Sequence, residues 1–338
     1  MKQFNVAIVG ASGAVGHEFL KVLAERNFPI KELRLLATER SEGKKIAFRG
    51  KEYTVSATTA DSFKGIDIAL FAGGEASKLY AADAVAAGAV VIDNSSNFRY
   101  VDDVPLVVPE VNPEDVRWHK GIIANPNCTT IIALVALKPL HDAARITRII
   151  CSSYQAVSGA GLPGLHELEE QTRRIVAGEP IDPPSAFTHQ IAFNVIPRID
   201  KLQDNGYFKE EMKMVWETRK MVHDDQIRVA ATCVRVPVYR SHSESLTIET
   251  ERPLSPDEAR EVLRRAPGVT VVDDPANDVY PMPLDTSDQD NVFVGRVRED
   301  ISCPGHGLNL WVCGDQIRKG AATNAVQIAE LQVEYGMV

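Results

Sequence analysis

The chain has 338 residues, 44% hydrophobic and 25% charged, ordinary values for a soluble globular protein of about two domains whose cores need no disulfide or metal. A net charge of −9 argues against a nucleic-acid partner, which calls for a basic face. The five cysteines, Cys128, Cys151, Cys233, Cys303 and Cys313, are odd in number and scattered without a CxxC pair, so neither a zinc site nor a disulfide framework is expected.

Taken in chain order, Phe4–Val9 reads as a strand, Ala14–Glu25 as an amphipathic helix and 32–38 as a second strand. Apolar runs at 66–72, 89–93, 106–108 and 121–124 continue the series, with helical patterns such as 76–87 between them. This alternation predicts a mostly parallel sheet with helices on both faces. Beyond Cys128 the texture changes. A buried helix over 129–137 should end near Pro139, followed by a long strand at 146–154 and an amphipathic helix at 165–177. Residues 178–197 read as an irregular, Pro-containing excursion towards another subunit. A β-branched run over 227–251 is broken at Pro237, and further strands are expected at 269–272, 292–297 and 308–312. Long strands with few helices between them predict an α+β unit with a mixed or antiparallel sheet. The tail, 317–335, reads as an amphipathic helix with Ala321, Ala325, Ile328, Leu331 and Tyr335 on one face, returning to the N-terminal domain. The opening MKQFNVAIVG runs into a Gly-rich turn, too short for a signal segment, and no stretch reaches the ~18 apolar residues of a membrane span. A cytoplasmic protein with reduced thiols and no membrane partner is expected.

Five segments carry chemistry. Gly10-Ala11-Ser12-Gly13-Ala14-Val15-Gly16 follows the first strand with GxxGxxG spacing. Such a turn lets the backbone approach a pyrophosphate at a helix N-terminus, although a tight strand-to-helix turn needs the same glycines. After the second strand, Arg40, Ser41, Lys44 and Lys45 suit the 2′-phosphate of NADP, while Glu39 suits NAD and a solvated loop suits neither. Asn127-Cys128-Thr129-Thr130 places Cys128 at a helix start, where a thiol gains thiolate character and adjacent N–H groups can hold an oxyanion. In 235–244 strand alternation would put 236, 238, 240 and 242 on one face and Arg235 on the other unless Pro237 makes a bulge. His242, among polar neighbours, suits an acid/base. Finally, 210, 213, 217 and 220 share a helix face, either a solvated ladder or a grip on a substrate carrying ammonium and anion.

Together GASGAVG, DNSSNFR, NPNCTT, YQAVSGAG, EEMKMVWETRK, CVRVPVYRSHSES and GDQIRKGAA resemble aspartate-semialdehyde dehydrogenase of the bacterial branch, in that family's order over nearly the whole chain. The resemblance implies a Rossmann-type dinucleotide-binding domain (1–127 and 317–338) and an α+β catalytic and dimerisation domain (128–316) of the glyceraldehyde-3-phosphate-dehydrogenase-like type, assembled as a homodimer. It implies NADPH-dependent reduction of L-aspartyl 4-phosphate to L-aspartate 4-semialdehyde through a thioester on Cys128, with His242 as acid/base and Gln155 positioning the carbonyl. Arg235 would pair with the α-carboxylate and Glu210, or else Glu217, with the amino group. Arg99 and Lys213 would meet the phosphate. Gly10, Ser12, Gly13, Ala14, Val15, Arg40, Ser41, Ser158, Gly159 and Gln316 would contact NADP, with no metal. The family often carries Asn where this chain has Gln316. N-acetyl-γ-glutamyl-phosphate reductase shares the chemistry, but Glu210 suits a free ammonium better than an acylated amine.

Overall fold

A computed structural model describes residues 2–338. The chain divides into two compact units: residues up to Asn127 together with Gly320–Val338, and Cys128–Lys319. The first opens with β1 (Phe4–Val9), α1 (Ala14–Glu25) and β2 (Ile30–Ala37), then β3 (Lys45–Phe48), β4 (Lys51–Thr54), β5 (Ser56–Ala57), β6 (Ile68–Phe71), α2 (Gly74–Ala86), β7 (Val90–Asp93) and β8 (Ile122–Ala124). The second runs through α3 (Cys128–Ala144), β9 (Ile146–Gln155), α4 (Gly161–Ala177), α5 (Lys209–Val222), β10 (Arg228–Arg235) and β11 (His242–Thr250). It continues with α6 (Pro256–Arg265), β12 (Val269–Val271), α7 (Pro283–Thr286), β13 (Val292–Glu299) and β14 (Gly307–Gly314). A π-helical turn, Arg318–Ala322, leads into α8 (Thr323–Glu334).

In the first unit the sheet order is β5-β2-β1-β6-β7-β8, with every pair parallel. Strands β6 and β7 are buried at every position, which is why they read as continuous apolar runs rather than alternations. The order reverses between β2 and β6 on either side of β1, the topological switch point where such sheets bind ligands. Tail helix α8 packs on α1, and Arg26 grips Glu330 through two bonds of 2.8 and 2.6 Å. Asn324 donates to Asn125 Oδ1 and to the Val107 carbonyl, and Arg117 lies 3.8 Å over the Tyr335 ring.

Two expectations fail here. Residues 106–108 form only an isolated bridge, Leu106 to Ala124, because the chain folds back at once through the Val108–Val111 turn. The tail opens as a π-helical turn rather than an α-helix from 317. Sequence reading also missed the exposed hairpin β3–β4, turned by Arg49 and Gly50, both at positive φ.

The second unit has the sheet order β10-β9-β11-β14-β13-β12, with parallel outer pairs and antiparallel pairs between. Helices α3, α5 and α6 lie against it. Strand alternation sends 149, 151, 153 and 155 inwards, leaving Tyr154 against Trp311 on the opposite, partly open face. Helix α3 does not stop near Pro139. It runs on to Ala144, because burial of Leu140 and Ala144 offsets a proline penalty of ~3 kcal/mol. Among the described residues no helix is long and apolar enough to cross a membrane.

Candidate active site and cofactor cleft

In the first unit, β1 is followed by Gly10, whose φ of +85° turns the chain towards α1. A Cβ at Gly16 would stand 2.3 Å from the Gly10 carbonyl oxygen, so the turn closes only with glycine there. The Gly13 N–H donates back to Gly10 O at 3.0 Å, and Ser12, Ala14 and Val15 form the bend at the start of α1. Beside it an open cleft of about 370 Å³ is lined by Val9, Gly10, Glu39, Arg40, Thr58 and Tyr80 among others, at the C-terminal ends of β1 and β2. Arg40 is exposed on its rim, while buried Ser41 accepts a 3.0 Å bond from Ser12. Glu39 and Arg40 both line this cleft, so both remain available to a ribose. Lys45 is instead spent on the hairpin, 2.7 Å from Glu52. Arg99 is buried, its Nε on the Asn125 carbonyl and its Nη2 on that of Asn94.

In the second unit, Cys128 is the first residue of α3 and is half-buried. His242, far away in sequence, opens β11. The loop before it is not a strand: Ser241 sits at φ +72°, its N–H held by Gln316 Oε1 at 2.8 Å and its hydroxyl by Thr286 at 2.6 Å. That strained, doubly anchored residue aims His242 across the sheet, so the alternation expected for 236–242 does not apply. His242 Nε2 lies 3.6 Å from Cys128 Sγ. Its Nδ1 accepts the Ala156 N–H at 3.1 Å, so the neutral ring carries its proton on Nε2, towards the sulfur. Burial, helped by the Arg235 charge, lowers the imidazole to about 3.

Arg235 ends β10 and is buried, with Nη1 on the Ala156 carbonyl at 2.6 Å. A Cβ on Gly159 would meet that Nη1 at 2.7 Å and His242 Cε1 at 3.3 Å, so Arg235 and His242 converge on one spot despite their sequence parity. Gln155, buried at the end of β9, donates to Thr129 Oγ1 at 2.8 Å and to Glu210 Oε1 at 3.2 Å. Helix α5 carries Glu210 and Glu211 in its first turn and Arg219 and Lys220 in its last, matching its dipole. Its charged face is not a solvated ladder: Glu210, Lys213 and Glu217 are all buried. Lys213 Nζ sits 2.8 Å from Glu210 and 3.0 Å from Asp200. Burial works against its charge, but the two carboxylates outweigh it and raise the ammonium pKa. The Gln316 amide donates to Ser158 and accepts from Ser241, tying the loop after β14 to the loop after β9.

Sequence reasoning missed the Ala156 N–H, because a backbone donor leaves no trace in residue type. It also missed Asp200, which lies just beyond the irregular segment 178–197 and carries no motif of its own. Burial pushes the Cys313 thiol up to about 12 and raises those of Cys151 and Cys233. No cluster able to hold a metal exists among the described residues.

Two family models match the chain, the semialdehyde dehydrogenase NAD binding domain over residues 5–119 and the semialdehyde dehydrogenase dimerisation domain over 137–319. The aspartate-semialdehyde dehydrogenase of Aquifex aeolicus (strain VF5) is 58% identical, covering 99% of each chain. That of Bacillus subtilis (strain 168) is 50% identical over the same shares. The crystal structure of aspartate semialdehyde dehydrogenase II from Vibrio cholerae complexed with ASA superposes with a TM-score of 0.94 at 51% identity, again over 99% of each chain.

Proposed function

The chain belongs to the aspartate-semialdehyde dehydrogenase family, and we propose that it reduces L-aspartyl 4-phosphate to L-aspartate 4-semialdehyde with NADPH, on the route to lysine, threonine, methionine and diaminopimelate. The observation that carries this reading is the pair of Cys128 Sγ and His242 Nε2, 3.6 Å apart at the N-terminus of α3.

The first unit is the NADP-binding domain. The glycine turn from Gly10 to Val15 at the start of α1 is the place for a pyrophosphate, and the cleft lined by Gly10 and Arg40, with Ser41 next to it in sequence, suits an adenosine ribose and its 2′-phosphate. Ser158, Gly159 and Gln316 are the further residues assigned to NADP. That second unit is the catalytic and dimerisation domain of a cytoplasmic homodimer.

The Cys128 thiolate attacks the acyl phosphate carbonyl, and a C–S bond forms as the C–O bond to phosphate breaks. N–H donors at the start of α3 hold the oxyanion. Phosphate leaves, its charge met by Arg99 and Lys213, and takes up from solvent the proton that the overall reaction consumes. Arg235 holds the α-carboxylate and Glu210 the ammonium, while Gln155 orients the carbonyl. When bound, NADPH supplies the hydride. His242 is the acid/base: Nε2 shares its proton with the hemithioacetal oxyanion and recovers it as the C–S bond breaks and the aldehyde departs.

Purified protein mixed with aspartate semialdehyde, phosphate and NADP should produce the absorbance of reduced nicotinamide. Turnover of N-acetylglutamate semialdehyde instead would overturn the substrate assignment.

A further inference from the structure

Lys213 is the residue assigned above to the leaving phosphate, yet in this structure its ammonium already faces two carboxylates. Glu210 Oε2 is at 2.8 Å and Asp200 Oδ2 at 3.0 Å. An ammonium has three donors, so a phosphate dianion meets a lysine that is two-thirds occupied and surrounded by negative charge. One carboxylate must yield.

The two are held differently. Glu210 stands on helix α5, its side chain 6% exposed, and its other oxygen is tied to Gln155. Asp200 stands in the irregular stretch between α4 and α5, its side chain 29% exposed, at φ +70°. Its other oxygen accepts, among the described residues, only from the N–H of its neighbour, Lys201. Asp200 also lines an open cleft of about 240 Å³ together with Arg198 and Arg235, so an anion can enter beside it.

Resting on the reading that Lys213 receives phosphate, we propose that Asp200 is a displaceable stand-in for that phosphate. It occupies Lys213 when phosphate is absent, keeping the buried ammonium charged and aimed. It swings out when phosphate arrives, and returns to expel phosphate after acyl transfer. Asp200 is thus a residue that sets phosphate affinity without touching the reacting carbon. The cost of displacing it appears as weakened phosphate binding, and the gain as faster release.

The test uses Asp200→Asn, since Asn tolerates positive φ well and keeps the shape. Measured in the oxidative direction at constant ionic strength, its KM for phosphate should fall about two- to fivefold, the scale of one partly exposed ion pair. The KM for semialdehyde should not follow it. Asp200→Glu, which restores a carboxylate, should move the phosphate KM back towards the parent value. Lys213→Ala is the control for the underlying reading and should raise the phosphate KM. If Lys213→Ala raises it while Asp200→Asn leaves it unchanged or raises it, the stand-in proposal is wrong and the phosphate role of Lys213 stands. If Lys213→Ala leaves the phosphate KM untouched, both fall. A rise confined to the semialdehyde KM in Asp200→Asn would instead make Asp200 part of the ammonium grip and overturn the proposal. Should Asp200→Asn fail to fold in a thermal melt, Asp200→Gly, which suits φ +70°, is read in the same way.

Discussion

Gly159→Ala should disable substrate binding without disturbing the fold. Gly159 lies in a short helical turn at ordinary φ, so alanine is not strained there. The new methyl would stand 2.7 Å from Arg235 Nη1, well inside the 3.4–4 Å of ordinary contact. The nearest atom is the end of a flexible side chain, so Arg235 retreats and the backbone does not. Retreat breaks the 2.6 Å bond from Nη1 to the Ala156 carbonyl and misaligns the guanidinium. A charge-assisted hydrogen bond is worth about 1.5–3 kcal/mol. The kcat/KM for aspartate semialdehyde should therefore drop roughly ten- to hundredfold, mostly through KM. Initial rates in the oxidative direction measure this, and a thermal melt close to the parent's shows that the fold survives. Unchanged kcat/KM would refute the close approach of Gly159 to Arg235. A rise in the NADP KM alone would mean that the methyl obstructs the cofactor and leaves Arg235 in place.

Iodoacetamide at about pH 8 should label Cys128 and the half-buried Cys303, with activity lost in step with Cys128. Cys313, pushed up to about 12 by burial, exposes only ~10⁻⁴ of its thiol as thiolate there, and peptide mapping that tied inactivation to Cys303 would sink the assignment. Arg40→Ala should weaken NADP by roughly 1–3 kcal/mol and leave NAD nearly unchanged; equal losses in titrations of both cofactors would show that this rim does not read the 2′-phosphate. Glu244 is wholly buried two residues beyond His242, with neither carboxylate oxygen hydrogen-bonded within the described residues, and burial raises its pKa well above the usual range. Above about pH 4.3 the native state therefore holds a proton that the unfolded chain has released, so Glu244 contributes less stability as pH rises. In urea titrations the advantage of Glu244→Gln over the parent should grow from about pH 5 to about pH 8, and an advantage that does not change with pH would be the contrary result.

Much of the fold class was legible in the chain because burial leaves a periodic trace. Apolar runs such as 68–71 and 90–92 have the pattern of strands covered on both faces, and their alternation with amphipathic segments points to a parallel sheet. The change of texture after Cys128 likewise announced a mixed sheet. The nucleophile and histidine segments each carried polar neighbours unusual for core positions. Other features depended on contacts between distant segments, which residue order does not encode. Parity put Arg235 and His242 on opposite faces, but Ser241 at positive φ interrupts the strand and brings both to Gly159. The Glu–Lys face of α5 has the spacing of a solvent ladder, and only packing against β10 makes it a buried ion-pair network. The proton on His242 is fixed by the Ala156 N–H, a group that every residue except proline possesses. Periodicity reports how much water a position sees, whereas the partner of a buried charge or a ring nitrogen is chosen by whatever the tertiary fold brings within about 3 Å of it.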